Sequence, residues 1–364
     1  MAVGDGYGGL EHRSSTSLLC KRDDLPREGE SAISDDYQTF LGLAAHEYFH
    51  SWNVKRIKPA AFTPYDLSRE AFTRQLWVFE GITSYYDDLA LTRSGVVAPE
   101  RFLELVGRTL TNVLRTPGRH LQSLGDASFD AWIKFYRPDE NSPNAGVSYY
   151  AKGAIVALAL DLLLRERGSS LDALMRELWR RHGAAGAGVA EGEVAALASA
   201  LAKADLADFF QRYVDGVEDP PLAAMLANVG VTLTLRASEG ARDRGGKPTS
   251  LVRPPASWIG AKYPASGEAR LTHVNRNGPA ARAGLSASDS IVAIDGVKAS
   301  SEGLAATLAR ATPGTRLAID AFRRDVLMHF DVMLEAAPDD TAFLTLTNDI
   351  GKDMLQRRVA WLGA

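Results

Sequence analysis

The chain has 364 residues, of which 46% are apolar and 24% are charged, and its formal net charge is -4. This composition is typical of a globular protein with a sizeable core, and the charge does not indicate a nucleic acid or an anionic membrane as partner. The single cysteine, Cys20, excludes an internal disulfide. No run of about 18 apolar residues predicts a transmembrane helix, and the N-terminus lacks the pattern of a signal peptide. We therefore expect a soluble protein of about two or three domains.

Helical patterns dominate the first half of the chain. Residues 1–35 are rich in glycine and polar side chains and contain one short strand-like run at residues 16–20. Apolar residues then recur at helical spacing, and residues 117–144 are the main interruption, which we interpret as loop. The expected helices span residues 36–54, 74–92, 99–115, 149–167, 170–182 and 191–214. This part is predicted to form a mostly helical domain.

Strand-like patterns follow. Residues 231–236 alternate between apolar and polar side chains, as in a half-buried strand. Residues 237–255 are rich in Gly, Arg, Asp and Pro and are expected to form an exposed connection. Short runs with strand character come next, at residues 269–274, 289–296 and 316–322. The predicted fold class is α+β multidomain, with a mostly helical domain followed by a small β-rich one.

The stretch HEYFH places two histidines one helical turn apart. On a helix His46 and His50 would share a face, with Glu47 at its edge. Zn²⁺ binds imidazole nitrogen and lowers the pKa of a bound water to about 7, so that a nearby carboxylate can take the proton. The pattern therefore predicts a hydrolytic zinc helix. The alternative is a pair of exposed surface histidines, but the apolar neighbours LGLAA predict burial, and a buried polar pair needs partners.

A third ligand is needed, and no further histidine occurs in residues 51–60. The candidates are Glu70, in a polar stretch, and Glu80, in the apolar run QLWVFEGITSYYDDL. We favour Glu80, because a cation would offset the unfavourable burial of its carboxylate. Thr83 and Asp87 follow on the same face, and either is expected to hydrogen-bond a ligand or to face solvent. Zinc is preferred over other divalent ions by ligand type, not by spacing.

The motif and its surroundings resemble a known family. HEYFHSWNVKRIKP followed by LWVFEGITSYYDDL is similar to the glycyl aminopeptidase family of zinc metallopeptidases. The resemblance implies a bacterial protein, cytoplasmic or periplasmic, with a thermolysin-like catalytic domain and a PDZ domain near the C-terminus. It implies that His46, His50 and Glu80 bind one zinc ion and that Glu47 is the general base. The large β-rich domain that usually comes first in the family has no counterpart in this sequence.

The segment GYGGLEH, residues 6–12, is similar to the Gly-x-Met-Glu-Asn segment of the related broad zinc aminopeptidases. The resemblance implies that Glu11 binds the α-ammonium group of the substrate through its opposite charge. It also implies that Gly8 and Gly9 allow close approach of the substrate backbone. Leu10 replaces the methionine and His12 replaces the asparagine, so a glycine turn with a solvated glutamate stays an alternative.

The segment VSYYAKG, which opens an apolar helix, resembles the position of the oxyanion-stabilising tyrosine in the same enzymes. Tyr150 matches this position, and Tyr149 is the neighbouring candidate. A phenol beside a metal can donate a hydrogen bond to the charge that develops on a tetrahedral intermediate. The alternative is a core aromatic at the start of a helix.

Residues 275–300, NRNGPAARAGLSASDSIVAIDGVKAS, resemble the core of a PDZ domain. PDZ domains bind a peptide as an added strand, with its C-terminal carboxylate on backbone amides. By resemblance the carboxylate loop would be Trp258, Ile259, Gly260 and Ala261. Because related loops are closer to Gly-Leu-Gly-Phe, the domain could instead only pack on the catalytic domain.

These interpretations divide the chain into five segments. They are a substrate-side segment 1–35, a zinc peptidase domain 36–230, a connection 231–256, a PDZ domain 257–336 and a C-terminal tail 337–364. The function expected first is that of a zinc aminopeptidase which releases N-terminal Gly or Ala. The alternatives are a zinc endopeptidase with PDZ-recruited substrates and a non-catalytic PDZ interaction protein. The expected partners are peptides with a free N-terminus, and a peptide C-terminus at the PDZ groove.

Overall fold

A computed structural model of the chain describes residues 1–30, 32–240, 242–249 and 257–363. Its architecture is mixed α+β, which confirms the predicted class at that level. A small N-terminal sheet lies on a helical body, and a β-rich unit near the C-terminus has a core of its own. Among the described helices, none is both long and apolar enough to cross a membrane.

The N-terminal sheet has three short strands. They are β1 (Ala2–Val3), β2 (Gly8–Glu11) and β3 (Thr16–Lys21), and β3 lies between the other two. The first helix, α1 (Asp35–Phe49), begins at Ser34, whose side chain accepts a hydrogen bond from the Tyr37 amide at 3.0 Å. The helix ends five residues before the predicted position 54, because the chain turns after His50.

The helical body extends from α1 to residue 227 and contains four π-helical turns, at Trp77–Gly81, Ala131–Phe135, Trp179–Gly183 and Gln211–Asp215. A two-stranded pair joins β4 (Lys58–Pro59) to β5 (Gly188–Val189). The helices are α2 (Ile82–Arg93), α3 (Pro99–Leu114), α4 (Leu124–Phe129), α5 (Ser142–Ala145), α6 (Ala151–Glu166), α7 (Leu171–Leu178), α8 (Glu193–Ala202), α9 (Ala207–Phe210) and α10 (Leu222–Ala227).

Residues 117–144 are not mainly loop, and that prediction was wrong. They contain α4, α5, a π-turn and a 3-10 turn at Pro117–His120. Two of the prolines that suggested a loop lie in the first turn of a helix, where the missing amide hydrogen is not needed. Ser123 also caps α4, since its side chain accepts from the Asp126 amide at 3.0 Å.

The centre of the body is α6, which is buried along most of its length. It packs against the Trp77–Gly81 turn through two glycines. A Cβ atom placed on Gly81 would lie 2.6 Å from the Cα atom of Gly153, which is far below any normal contact. This close approach brings the turn and the start of α6 side by side.

The β-rich unit follows β6 (Val231–Arg236). The elements are β7 (Ser257–Trp258), β8 (Ala261–Lys262), β9 (Ala269–Arg270), β10 (His273–Val274), α11 (Pro279–Arg282), β11 (Ser290–Ile294), β12 (Val297–Lys298), α12 (Ser301–Arg310), β13 (Arg316–Arg323), β14 (Val326–Met333) and β15 (Glu335–Ala336). The main sheet of the unit has the order β12-β11-β13-β14, with β9 added at β11, and helices α11 and α12 cover it. Residues 241 and 250–256 of the expected connection lie outside the described residues.

After this unit the chain returns to the helical body. Strand β16 (Thr341–Leu346) pairs antiparallel with β6 and packs on α3, and α13 (Lys352–Leu362) closes the body. Trp361 is fully buried, and its Nε1 donates to the Tyr85 hydroxyl at 2.7 Å. The segments expected as a connection and as a tail thus contribute a strand pair and a core helix. Neither strand has a partner nearby in sequence, so local patterns did not indicate the pairing.

Replacement of Trp361 by alanine should destabilise the helical body by about 3–5 kcal/mol, because it leaves a large cavity and removes the hydrogen bond that the Tyr85 hydroxyl accepts. Urea unfolding of the whole chain would measure the change. Leu355→Ala on the same helix is the matched control, since Leu355 is 47% exposed and its loss should cost less than about 0.5 kcal/mol. Equal stabilities of the two variants would contradict a structural role for α13.

Candidate metal centre

His46 and His50 lie on one face at the end of α1, with ring centroids 4.6 Å apart. Glu80 comes from the Trp77–Gly81 turn, and its Oε2 lies 3.3 Å from the Nε2 atoms of both histidines. One ligand atom from each of the three residues lies within 4.8 Å of the others. The structure therefore brings together the three predicted ligands, whereas Glu70 is exposed and lies outside the cluster.

The far nitrogens of both histidines are held by oxygen acceptors. His46 Nδ1 lies 3.1 Å from Asp87 Oδ2, and His50 Nδ1 donates to the Asn53 carbonyl at 2.7 Å. When Nδ1 carries the hydrogen, the lone pair of Nε2 points towards Glu80 and can bind a metal. Of the two predicted supporting residues, Asp87 is thus in contact with a candidate ligand.

Asn53 was not predicted, although it lies only three residues after the second histidine of the motif. Its Nδ2 donates to the Val78 carbonyl at 2.9 Å and to Thr83 Oγ1 at 3.2 Å. Thr83 in turn donates to the Phe79 carbonyl at 2.6 Å, so it contacts no ligand directly and supports His50 through Asn53. The signal available in the sequence was a polar residue in an apolar context just after the second histidine.

The charges of the cluster depend on one another. Burial lowers the pKa of His46, but contacts with Asp87 and Glu80 outweigh it and raise the pKa to about 10. Burial raises the pKa of Glu80, but the two imidazoles outweigh it and lower the pKa to about 2. Glu80 Oε2 is buried and makes no hydrogen bond within the described part of the chain. A divalent cation bound to both Nε2 atoms would pair with this oxygen.

Glu47 is buried next to the cluster, and strand β2 passes directly over it. A Cβ atom on Gly9 would lie 2.0 Å from Glu47 Oε1, so only glycine permits this passage without displacing the carboxylate. Burial raises the pKa of Glu47. Its Oε2 has no hydrogen-bond partner among the described residues and is left for a group in the cavity. Gly8, by contrast, has open space around it.

Basic residues after α1 hold the β2–β3 hairpin in place. Lys55 Nζ lies 3.0 Å from Glu11 Oε1, and both side chains are about one-fifth exposed. Arg56 Nη1 donates to the Arg13 carbonyl at 3.2 Å. One carboxylate oxygen of Glu11 lies within 4.8 Å of ligand atoms of Glu47 and His50. Neither Lys55 nor Arg56 was predicted to contribute to the site.

The predicted tyrosines lie on different sides of one aromatic cluster. The Tyr150 ring stacks on His46 with centroids 6.3 Å apart, whereas Tyr149 is buried and 1% exposed. Burial and the negative charge of Glu80 raise the pKa of Tyr150, so its hydroxyl stays a hydrogen-bond donor. These groups surround an open cavity of about 350 Å³, lined by Gly8, Gly9, Glu11, Glu47, Tyr150 and the three candidate ligands, with Tyr7, Leu43, Ser84 and Asp87.

The segment that carries this geometry matches a known family. Residues 39–156 fit the family model described as M61 glycyl aminopeptidase. The chain is also 41% identical to an aminopeptidase N family protein from Idiomarina loihiensis, whose crystal structure superposes with a TM-score of 0.92. The chain belongs to the M61 glycyl aminopeptidase family. The match covers the whole of this M61 chain and 61% of the Idiomarina protein.

Two other solved structures resemble only a part of this M61 chain. An HtrA-type protease, AlgW with a decapeptide, is 25% identical over 23% of this chain and 30% of that chain, with a TM-score of 0.21. A serine endoprotease from Yersinia pestis is 18% identical over 23% of this chain and 30% of that chain, also with a TM-score of 0.21. No curated protein sequence matches the chain significantly.

The predicted carboxylate loop of the M61 chain lies in the β-rich unit, outside the residues that line the cavity. Gly260 adopts a positive φ of 76°, and Ile259 is buried in the core of that unit. Two carbonyls of the loop accept hydrogen bonds at 2.8 Å each. The Gly260 carbonyl accepts from the Asn275 amide, which follows β10, and the Ile259 carbonyl accepts from the Ala280 amide, which lies in α11.

We expect the purified chain to contain about one zinc ion, and we expect His46→Ala to lose it. The physical reason is that three protein atoms, two nitrogens and one oxygen, would hold the ion, and the two that remain in the variant are too few to bind it. Elemental analysis of the three proteins would measure this, with His12→Ala as the control, because His12 is an exposed histidine of the β2–β3 hairpin. Retention of zinc by His46→Ala would place the ion elsewhere.

Proposed function

We propose that the chain is a zinc-dependent aminopeptidase that cleaves the N-terminal peptide bond after a small residue, Gly or Ala. Membership of the M61 family and the similarity to an aminopeptidase N family protein support a peptidase. The observation that carries the exopeptidase assignment is the position of Glu11. Its carboxylate lies in the same cavity as the candidate metal ligands and offers a negative charge to a free amine.

His46, His50 and Glu80 would hold the zinc ion, one per chain. Two imidazole nitrogens and one carboxylate oxygen are a usual ligand set of catalytic zinc, and the engaged Nδ1 atoms support it. When bound, zinc would polarise the scissile carbonyl and lower the pKa of its water. A second ion between Glu11 and Glu47 is not expected, because Lys55 already pairs with Glu11.

The other residues have distinct tasks in the proposed reaction. Glu47 takes a proton from the attacking water and passes it to the leaving amine, and burial raises its pKa towards the working range of a general base. Tyr150 donates a hydrogen bond to the oxyanion. Lys55 binds Oε1 of Glu11, which leaves Oε2 for the substrate ammonium. The backbone of Gly8 and Gly9 runs along the cavity, where it can align the substrate chain.

We further propose that residues 257–336 form a PDZ domain. The sheet of five strands, the two helices α11 and α12 and the separate core support this assignment. The turn at Gly260 supports the loop Trp258–Ala261 as its carboxylate-binding element. The segments 1–35 and 36–230 would then form the peptidase part, together with β6, β16 and α13.

The zinc-loaded chain should release Gly and Ala from glycyl- and alanyl-aminomethylcoumarin, and acetylation of the substrate amine should abolish release. A blocked amine cannot pair with Glu11, so hydrolysis of the acetylated substrate would indicate an endopeptidase instead.

Glu47→Gln should lower kcat by about 10²–10⁴ while zinc content stays unchanged, because the general base is lost and the ligands remain. Fluorescence of the released coumarin measures both. Unchanged hydrolysis by Glu47→Gln would exclude the mechanism, and no hydrolysis by the wild type would favour a non-catalytic protein.

Gly9→Ala should lower kcat at least about tenfold without preventing folding. The new methyl group would push the Glu47 carboxylate away from the cavity, and such a side-chain displacement is less costly than a backbone shift. Gly4→Ala is the matched control, since no heavy atom lies within 4 Å of a Cβ at that position. Coumarin release and urea unfolding would be measured on both. Equal kcat values would refute the contact between β2 and the general base.

A further inference from the structure

Three tyrosine hydroxyl groups lie in a row beside the metal centre. The Tyr149 hydroxyl donates to the Tyr136 oxygen at 3.1 Å, and the Tyr136 oxygen lies 3.2 Å from that of Tyr150. Tyr150 lines the cavity, whereas Tyr136 is not among the lining residues and is 57% exposed. Tyr136 therefore connects a buried hydroxyl to the one that faces the candidate reaction site.

Each hydroxyl has only one hydrogen to donate. Tyr149 donates its hydrogen to Tyr136, and between Tyr136 and Tyr150 either oxygen can be the donor. A Tyr150 hydroxyl that donates to the oxyanion has no hydrogen left for Tyr136, so Tyr136 is then the donor of this pair. We propose that Tyr136 is a positioning residue, which donates to Tyr150 and thereby turns the Tyr150 hydrogen towards the oxyanion. This inference rests on the proposed function and adds a residue to the same reaction.

A hydrogen bond donated by Tyr136 to the Tyr150 oxygen has two physical effects. A phenol hydrogen rotates about the C–O bond, and a donor on one side of the oxygen fixes the direction in which the hydrogen points. A fixed donor stabilises the oxyanion without reorganising during the reaction. A hydroxyl that accepts one hydrogen bond also becomes a better donor, by about 10–30% per bond in a row. Both effects act on the transition state and leave substrate binding unchanged.

Ring contacts fix the distance between Tyr136 and Tyr150. The Phe135 ring stacks on Tyr150 with centroids 5.6 Å apart and meets the Tyr136 ring edge-on at 5.3 Å. Phe135 ends the π-turn that follows α4, so Tyr136 is the next residue after a fixed helical segment. The exposed ring of Tyr136 therefore has a defined place although solvent covers more than half of it.

The β-rich unit holds the chain on the far side of Tyr136. His273 Nδ1 donates to the Glu140 carbonyl at 2.9 Å, and Asn144 Nδ2 donates to the Val274 carbonyl at 2.8 Å. The Arg276 amide donates to Asn144 Oδ1, also at 2.8 Å. The segment that carries Tyr136 is thus anchored by α4 before it and by β10 after it.

Tyr136→Phe tests the inference, because it removes one hydroxyl and keeps the ring contacts. We expect kcat for alanyl-aminomethylcoumarin to fall about tenfold, with KM, zinc content and the urea midpoint unchanged. Tyr150→Phe should lower kcat by about 10²–10³, and the double variant should equal Tyr150→Phe, because Tyr136 acts only through Tyr150. Tyr65→Phe is the control, an exposed tyrosine outside the cavity. Additive losses, or an unchanged kcat in Tyr136→Phe, would overturn the inference.

A binding measurement separates this inference from the proposed function. A phosphinic analogue of Gly-Ala carries a tetrahedral phosphorus atom, whose oxygens stand in for the oxyanion. Calorimetry on the zinc-loaded chain gives the affinity for this analogue. Tyr136→Phe should bind it about tenfold more weakly than the wild type and Tyr65→Phe. If the wild type hydrolyses no substrate but this difference is present, only the proposed function fails. Equal affinity of wild type and Tyr136→Phe, including no affinity of either, overturns the positioning role.

Discussion

The charge of Glu80 is the constraint on which the rest of the site depends. A carboxylate buried in an apolar helix is costly unless positive groups surround it. Here two imidazoles lie 3.3 Å from one oxygen, and their far nitrogens are held by Asp87 and by the Asn53 carbonyl. These contacts come from separate segments of the chain. Therefore α1, the turn after it and the Trp77–Gly81 turn must come together as one unit.

Glycine makes this assembly possible at two contacts. Gly81 and Gly153 bring the turn that carries Glu80 against α6, and α6 begins directly after Tyr150. Gly9 lets a strand cross the buried Glu47. The candidate metal ligands, the proposed general base and the Tyr150 phenol are thus positioned by backbone segments in direct contact, with no side chain between them.

The sequence predicted what depends on short spacing and local pattern. His46, Glu47 and His50 share a helix, and Glu80 was identified because a lone carboxylate in an apolar run needs a cation. The α+β class and the family are confirmed, and the roles of the site residues stay predictions. Asn53 was missed because its role depends on where α1 ends. Lys55 and Tyr136 were missed because their partners come from distant segments, and local periodicity carries no information about such pairs.

Because local periodicity carries no information about distant pairs, the pairing of strands β6 and β16 was also not predicted. They leave and re-enter the helical body side by side, with Arg236 opposite Thr341, so the whole β-rich unit is inserted between two paired strands. The entry and exit of the unit are therefore a strand spacing apart, about 4.8 Å. During synthesis the helical body cannot complete its core until the β-rich unit has been translated, because α13, which carries Trp361, follows that unit in the chain. The order of translation thus places the synthesis of the inserted unit before the final packing of the body that carries the candidate metal centre.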